Sequence, residues 1–103
     1  MVKILVSGKF PPYKTEEGIK AALSKNKPAY PDFIKKVESW GTLPEDGEYK
    51  AYAVYECPND KLYDGIKAII KRYHFYVTEV EEYEYSMEIL YPEAEVMQIL
   101  MQK

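Results

Sequence analysis

The chain has 103 residues, of which 47% are hydrophobic and 30% are charged, and its formal net charge is −3. These values predict one folded domain with its own hydrophobic core and argue against disorder. No apolar run is long enough for a transmembrane helix, and the negative charge disfavours nucleic acids and anionic membranes as partners. A single cysteine cannot form an intrachain disulfide, which fits a cytoplasmic location.

The predicted elements follow the order strand, helix, strand, strand, helix, strand, with a short helix at the end. Alternating apolar residues predict a first strand over residues 2–10. Thr15 is the expected N-cap of the first helix, whose apolar stripe is predicted to be Ile19, Ala22 and Leu23.

Residues 32–42 fit two structures. Their apolar residues have helical spacing, but a strand would instead place Ile34 and Trp40 on one face. We favour the strand, because residues 43–47 have the chemistry of a hairpin turn and a clear strand follows over residues 48–57.

A second helix is expected to begin at residues 58–60. Its buried stripe is predicted to contain Leu62, Ile66, Ile69, Ile70 and Tyr73. The fourth strand is predicted to begin near His74 and to continue through about fifteen residues, which is long for a strand in a domain of this size. A terminal helix is expected after Pro92, so residues 1–90 form the main domain and residues 91–103 its appendage.

This order predicts an α+β fold, the ferredoxin-like βαββαβ plait with an antiparallel sheet. Two helices then cover only one face of the sheet, and the other face stays bare. The residues expected on the bare face are Leu5, Trp40, Tyr52, Val54, Tyr76 and Val80. An apolar patch of that size predicts a homodimer, or a higher even oligomer, in which two sheets pack face to face.

In topology and strand patterning the chain resembles the dimeric α/β-barrel superfamily, in particular its small uncharacterised prokaryotic members. The resemblance covers about residues 2–85. The stretches that carry it are Lys3–Val6 with Phe10–Pro12, Val37–Trp40, Tyr52–Glu56 and Phe75–Val77. It implies a homodimer whose facing sheets enclose a cavity, where the active members bind substrate. Any activity would resemble that of cofactor-independent monooxygenases or of muconolactone isomerase, but none of these stretches is a catalytic motif.

Five residues form the predicted ligand-binding pocket, which is expected to take a small apolar or aromatic molecule. They are Ser7, Trp40, Tyr52, His74 and Tyr76. The lone histidine of this set is either a structural or surface residue or a catalytic base. It has no histidine or cysteine near it in the sequence to complete a metal site, and Cys57 is expected to be an inert thiol. Neither a metal nor a cofactor is predicted.

Two classes of function remain open. One is a dimer that binds a small molecule, either as a binding protein or as a cofactor-free enzyme. The other is a structural or regulatory interaction module with a filled barrel core. An RNA-recognition domain has the same strand order and is rejected. Lys50–Ala53 matches its third-strand motif only in part, because Val54 replaces a stacking aromatic residue.

Overall fold

The computed structural model describes residues 1–43 and 47–102. The predicted turn at residues 43–47 therefore lies partly outside the described residues, since it includes residues 44–46. The elements are β1 (Val2–Phe10), α1 (Thr15–Ala22), β2 (Lys35–Gly41), β3 (Tyr49–Cys57), α2 (Leu62–Glu79), β4 (Glu84–Leu90) and α3 (Glu93–Leu100). Short 3₁₀ turns at Pro12–Lys14 and Asn59–Lys61 lead into α1 and α2.

The four strands form one antiparallel sheet in the order β2-β3-β1-β4. β1 lies in the middle of the ladder and pairs with β3 from Val2 to Phe10 and with β4 from Lys3 to Lys9. The predicted α+β class is confirmed, and the architecture is compatible with a ferredoxin-like plait.

Alternation along β1 and β3 separates the two faces of the sheet. Ile4 and Val6 on β1 are fully buried, and Tyr55 and Cys57 on β3 are almost so. Because successive side chains of a strand point to opposite faces, the intervening residues lie on the other side. The helices cover the first face, and we call the second the bare face.

β2 confirms that residues 32–42 contain a strand. A β-bulge between Lys36 and Glu38 gives β2 one residue more than the facing part of β3. This extra residue reverses the alternation, so Ile34, just before β2, is buried on the helix side, whereas Trp40 lies on the bare face. The prediction that Ile34 and Trp40 share a face is wrong, because it assumed an uninterrupted strand.

α2 is longer than predicted. His74 lies inside this helix, so the prediction that the fourth strand begins there is wrong, and the strand starts ten residues later at Glu84. The buried side of the helix continues through Ile69 and Tyr73 to Val80, at spacings of four and seven residues. This helical spacing dominates over the strand preference of the aromatic and β-branched residues at 74–78.

A tight turn separates α2 from β4. Val80 is buried at the end of the helix, and its carbonyl accepts a hydrogen bond from the Tyr83 amide at 3.1 Å. Glu82 has a φ of 69°, the left-handed conformation that reverses the chain here. Its carboxylate accepts a hydrogen bond from the Tyr13 hydroxyl, which connects this turn to the segment before α1.

α1 faces the core with its small residues rather than with the predicted stripe. Ile19 and Leu23 are 55% and 77% exposed, Ala22 is also exposed, and Ala21 is the buried residue. A Cβ atom at Gly18 would lie 2.6 Å from the ring of Phe10, so the helix approaches too closely for larger side chains. Thr15 is the first helical residue and not the N-cap; its hydroxyl donates to the Pro12 carbonyl.

The predicted terminal helix is present as α3, and it is exposed along its whole length. Its large apolar side chains have more than a third of their surface in solvent. With the residue that follows the helix, they are Val96, Met97, Ile99, Leu100 and Met101. In the described residues, α3 is therefore an apolar helix that its own domain leaves uncovered.

Neighbouring isoleucines on α2 test the assignment of its buried face. Ile69 is fully buried, whereas Ile70, which was predicted to be buried as well, is 43% exposed. Ile69→Ala is expected to lower the free energy of unfolding by about 2–5 kcal/mol. Ile70→Ala is the matched control, with an expected loss below about 1 kcal/mol. Urea denaturation of both variants gives the comparison, and equal losses would contradict the assigned face.

Candidate functional site

One row of side chains crosses all four strands on the bare face. Cross-strand pairing aligns Trp40 with Tyr52, Tyr52 with Ser7, and Ser7 with Ser86. A groove of about 370 Å³ lies along this row. The residues that line it are Ser7, Gly8, Lys9, Lys50, Tyr52, Glu84, Tyr85 and Ser86.

The structure brings three of the five predicted pocket residues together and separates the other two. Ser7, Trp40 and Tyr52 share the row on the bare face. His74 is exposed on α2, and Tyr76 packs against the core from the same helix, so both lie on the opposite side of the sheet. The predicted five-residue pocket is wrong in this respect, because its argument required His74 and Tyr76 to occupy a strand.

The bare face is more polar than the sequence suggests, because Tyr76 and Val80 do not belong to it. Val80 is buried at the end of α2. Leu5 and Val54, which pair with each other, form the apolar centre of the face. Four lysines and four glutamates surround them at the aligned positions. These residues are Lys3, Lys9, Lys35, Lys50, Glu38, Glu56, Glu84 and Glu88.

Ion pairs on this face are loose. Lys9 Nζ lies 3.4 Å from a carboxylate oxygen of Glu84 and 3.7 Å from one of Glu48, and Lys3 Nζ lies 3.9 Å from one of Glu56. Exposed pairs at these distances contribute little to stability. They leave these side chains free to rearrange around a partner or a ligand.

Three tyrosine hydroxyls form a chain on the helix side of the sheet. The Tyr30 hydroxyl donates to that of Tyr55 at 2.8 Å, and the hydroxyls of Tyr55 and Tyr73 lie 2.9 Å apart. Burial raises the pKa of each of these phenols, and it also raises the pKa of Tyr83. All four side chains therefore stay protonated and neutral well above neutral pH.

Arg72 lies beside this chain of hydroxyls. Its Nε donates to the Tyr76 hydroxyl at 3.0 Å, and a terminal nitrogen donates to the Pro28 carbonyl at 2.7 Å. The guanidinium carbon lies 4.6 Å from the centre of the Tyr30 ring, which is within cation–π distance. Burial opposes the charged form, but the hydrogen bond to Tyr76 and the nearby phenols outweigh it, so the pKa of Arg72 is raised.

Sequence reasoning did not find this cluster. Its members come from the loop before β2, from β3 and from α2, and residues 28 and 72 are 44 positions apart. The alternation of β3 placed Tyr55 inward and the helical stripe placed Tyr73 inward, so the signal for a buried pair was present. Nothing in either local pattern indicated that the two hydroxyls meet.

The single thiol is buried and has little access to reactants. Cys57 is 1% exposed on β3, and burial raises its pKa, which disfavours the reactive thiolate. Over residues 1–43 and 47–102, no three histidine, cysteine, aspartate or glutamate side chains gather in a way that could hold a metal ion. Among the same residues, no helix combines the length and apolar character needed to cross a membrane.

Comparison of the chain with protein-family models, with curated proteins and with solved structures gave no match. We therefore infer function from the geometry of the bare face and of the tyrosine–arginine cluster.

The tyrosine chain predicts a specific cost for losing its central hydroxyl. Tyr55→Phe leaves the hydroxyls of Tyr30 and Tyr73 without their shared partner, and the expected loss of unfolding free energy is about 1–3 kcal/mol. Tyr63→Phe, at a tyrosine that is 75% exposed, is the matched control and is expected to stay within about 0.5 kcal/mol. Urea denaturation measures both, and equal stability of the two variants would contradict the chain.

The raised pKa values also predict how stability depends on pH. The unfolded chain ionises its phenols near the ordinary pKa of 10.0, whereas Tyr30, Tyr55, Tyr73 and Tyr83 stay protonated in the fold. Their contribution to stability is complete below pH 10.0 and is lost as the pH rises above it. In an alkaline titration, these phenols are expected to ionise only as circular dichroism reports loss of structure. Ionisation of all eleven tyrosines in an intact fold would contradict this.

Proposed function

We propose that the protein is a homodimer in which the bare faces of two copies meet and enclose a small-molecule site. The observation that carries the proposal is the row of Trp40, Tyr52, Ser7 and Ser86 across the bare face. Trp40 is 66% exposed there. Aromatic and apolar side chains that project from an uncovered sheet are typical of an interface.

The charges of the bare face favour a second copy as its partner. At the aligned strand positions of this face the four lysines and four glutamates cancel, and Glu48, which pairs with Lys9 at the edge, leaves the face close to neutral, although the chain as a whole has a net charge of −3. Two such faces meet without net repulsion, and a two-fold axis lets the lysines of each copy approach the glutamates of the other. The negative excess is then left on the outer surface.

The size of the sheet indicates that α3 takes part in the dimer. Four strands of seven to nine residues, with strands about 4.8 Å apart, cover roughly 500 Å². A stable interface buries about 800 Å² of accessible surface on each partner, so a flat sheet area of this size lies at the lower end of what a dimer needs. The exposed apolar side of α3 follows β4 directly and provides further area, and we include it in the interface.

The groove at the end of the bare face where Lys9 and Lys50 lie is the proposed ligand site. In the dimer the grooves of both copies face one cavity, with Tyr52 as an aromatic wall and the hydroxyls of Ser7 and Ser86 as hydrogen-bonding groups. Such a lining suits a small molecule with an aromatic or apolar body and one polar end. We assign binding rather than catalysis to it, because the single histidine lies across the sheet on α2 and offers no base to Ser7.

Trp40 is the only tryptophan of the chain and lies on the proposed interface, so its fluorescence reports association directly. We expect light scattering at micromolar concentration to give twice 12.0 kDa, and Trp40 emission to shift to longer wavelength on dilution as the dimer dissociates. A 12.0 kDa particle at that concentration, with emission independent of concentration, would contradict the proposal.

Two variants separate the interface from the fold. Val54→Glu places a charge in the apolar centre of the bare face and is expected to give a monomer with an unchanged circular dichroism spectrum. Val77→Glu, on the solvent side of α2 and 39% exposed, is the matched control and is expected to remain a dimer.

Removal of residues 92–103, which include α3, is expected to weaken the dimer. If the dimer forms but its bare-face groove takes up no aromatic compound, the interaction module with a filled core is the better description.

A further inference from the structure

A second cavity lies on the opposite side of the sheet, between α1, α2 and the strands β2 and β3. Its volume is about 190 Å³, which corresponds to about six water molecules. Small residues of α1 and β3 form its walls, namely Gly18, Ala21, Ala22, Ala51 and Ala53. Arg72, Tyr73, Tyr76 and Tyr83 also line it, and the exposed Lys36 and Ser39 form its rim toward solvent.

Both charged side chains among the described residues that line this cavity are basic. Arg72 lines it and Lys36 stands at its rim, while none of its described lining residues is an aspartate or a glutamate. Burial and the charge of Arg72 together lower the pKa of Lys27, so a third cation lies near the guanidinium. In a chain with a net charge of −3, a half-buried arginine with no carboxylate partner among the described residues is unusual.

Some hydrogen-bond donors at the same place have no acceptor among residues 1–43 and 47–102. Arg72 has five N–H donors, of which the Tyr76 hydroxyl and the Pro28 carbonyl accept two. The hydroxyls of Tyr30, Tyr55 and Tyr73 have three protons but make two hydrogen bonds with one another, so one O–H proton is left over. Because burial raises the pKa of these phenols, they act as donors and not as competing anions.

Tyrosine rings form much of the remaining surface of the cavity. The rings of Tyr73 and Tyr76 meet edge to face, with centres 5.4 Å apart, and those of Tyr76 and Tyr83 are 5.7 Å apart. Opposite them, the alanines of α1 and β3 leave a space without large side chains. A planar ring fits such a space by packing against aromatic faces and edges.

We propose that this cavity binds a small aromatic carboxylate of about one ring, with the carboxylate on Arg72 and the Tyr hydroxyls and the ring between Tyr76 and the alanines. Arginine binds carboxylates through two parallel hydrogen bonds, which explains a guanidinium held in place by Pro28 and Tyr30 rather than by an acid. The site is independent of the proposed dimer: it lies on the helix side of the sheet, so a monomeric protein would keep it.

Benzoate is the probe for this site, and benzyl alcohol is its neutral counterpart of nearly the same shape. Isothermal titration calorimetry is expected to show saturable binding of benzoate, at least about tenfold tighter than that of benzyl alcohol. Inorganic phosphate, which has charge but no ring, is also expected to bind at least about tenfold more weakly than benzoate. Equal affinity for benzoate and benzyl alcohol, or no saturable binding of benzoate at millimolar concentration, would overturn the proposal.

Three variants locate the binding. Arg72→Lys keeps the charge but removes the planar guanidinium with its parallel N–H donors. This variant is expected to bind benzoate at least about tenfold more weakly. Lys71→Gln, an adjacent exposed position outside the cavity, removes one charge and is expected to leave the affinity unchanged. Ser39→Phe blocks the rim at an exposed site and is expected to abolish binding even if Arg72→Lys fails to fold. Unchanged affinity in Ser39→Phe, or an equal loss in Lys71→Gln, would overturn the assignment.

Discussion

The pairing of β1 on both of its sides is the constraint on which the rest of the structure depends. β1 lies between β3 and β4, and its buried residues Ile4 and Val6 are the centre of the core. Because side chains alternate along this strand, each residue of β1 is committed to the helix side or to the bare face. Residues paired across strands lie on the same face, so the register with β1 also fixes which residues of β3 and β4 face the helices. The pairing with β3 does the same for β2.

The two faces that result differ in chemistry. The helix side combines an apolar core with phenol hydroxyls that hydrogen-bond to one another beside the Arg72 guanidinium. The bare face balances lysines against glutamates around Leu5 and Val54. A face with balanced charge suits a copy of itself, whereas the cavity beside Arg72, whose described charged lining residues are basic, suits an anion. The two proposals therefore rest on different residues and different physical arguments.

Small residues set the distances between layers. Gly18 brings α1 against Phe10, and Gly65 lets α2 approach β3 so closely that a Cβ there would lie 3.0 Å from the Cys57 sulfur. Ala51 and Ala53 lie below the C-terminal half of α2. Their small side chains leave space there, which is the cavity beside Arg72. Small residues therefore allow tight packing at Gly18 and Gly65 and line a cavity at Ala51 and Ala53.

The sequence by itself determined β1 and β3, the faces of both strands and the presence of α2 and α3, because each depends on a local period or a local breaker. It also determined that Ser7 and Tyr52 share a face, and it favoured a strand before the hairpin. Only the tertiary structure decided that α2 continues through His74, since residues 74–78 satisfy the pattern of either element and burial against the core selects the helix. It alone decided the bulge that separates Ile34 from Trp40 and the meeting of Tyr30, Tyr55 and Arg72. These contacts join residues far apart in the chain, and a local pattern contains no information about which distant hydroxyl or ring will be its neighbour.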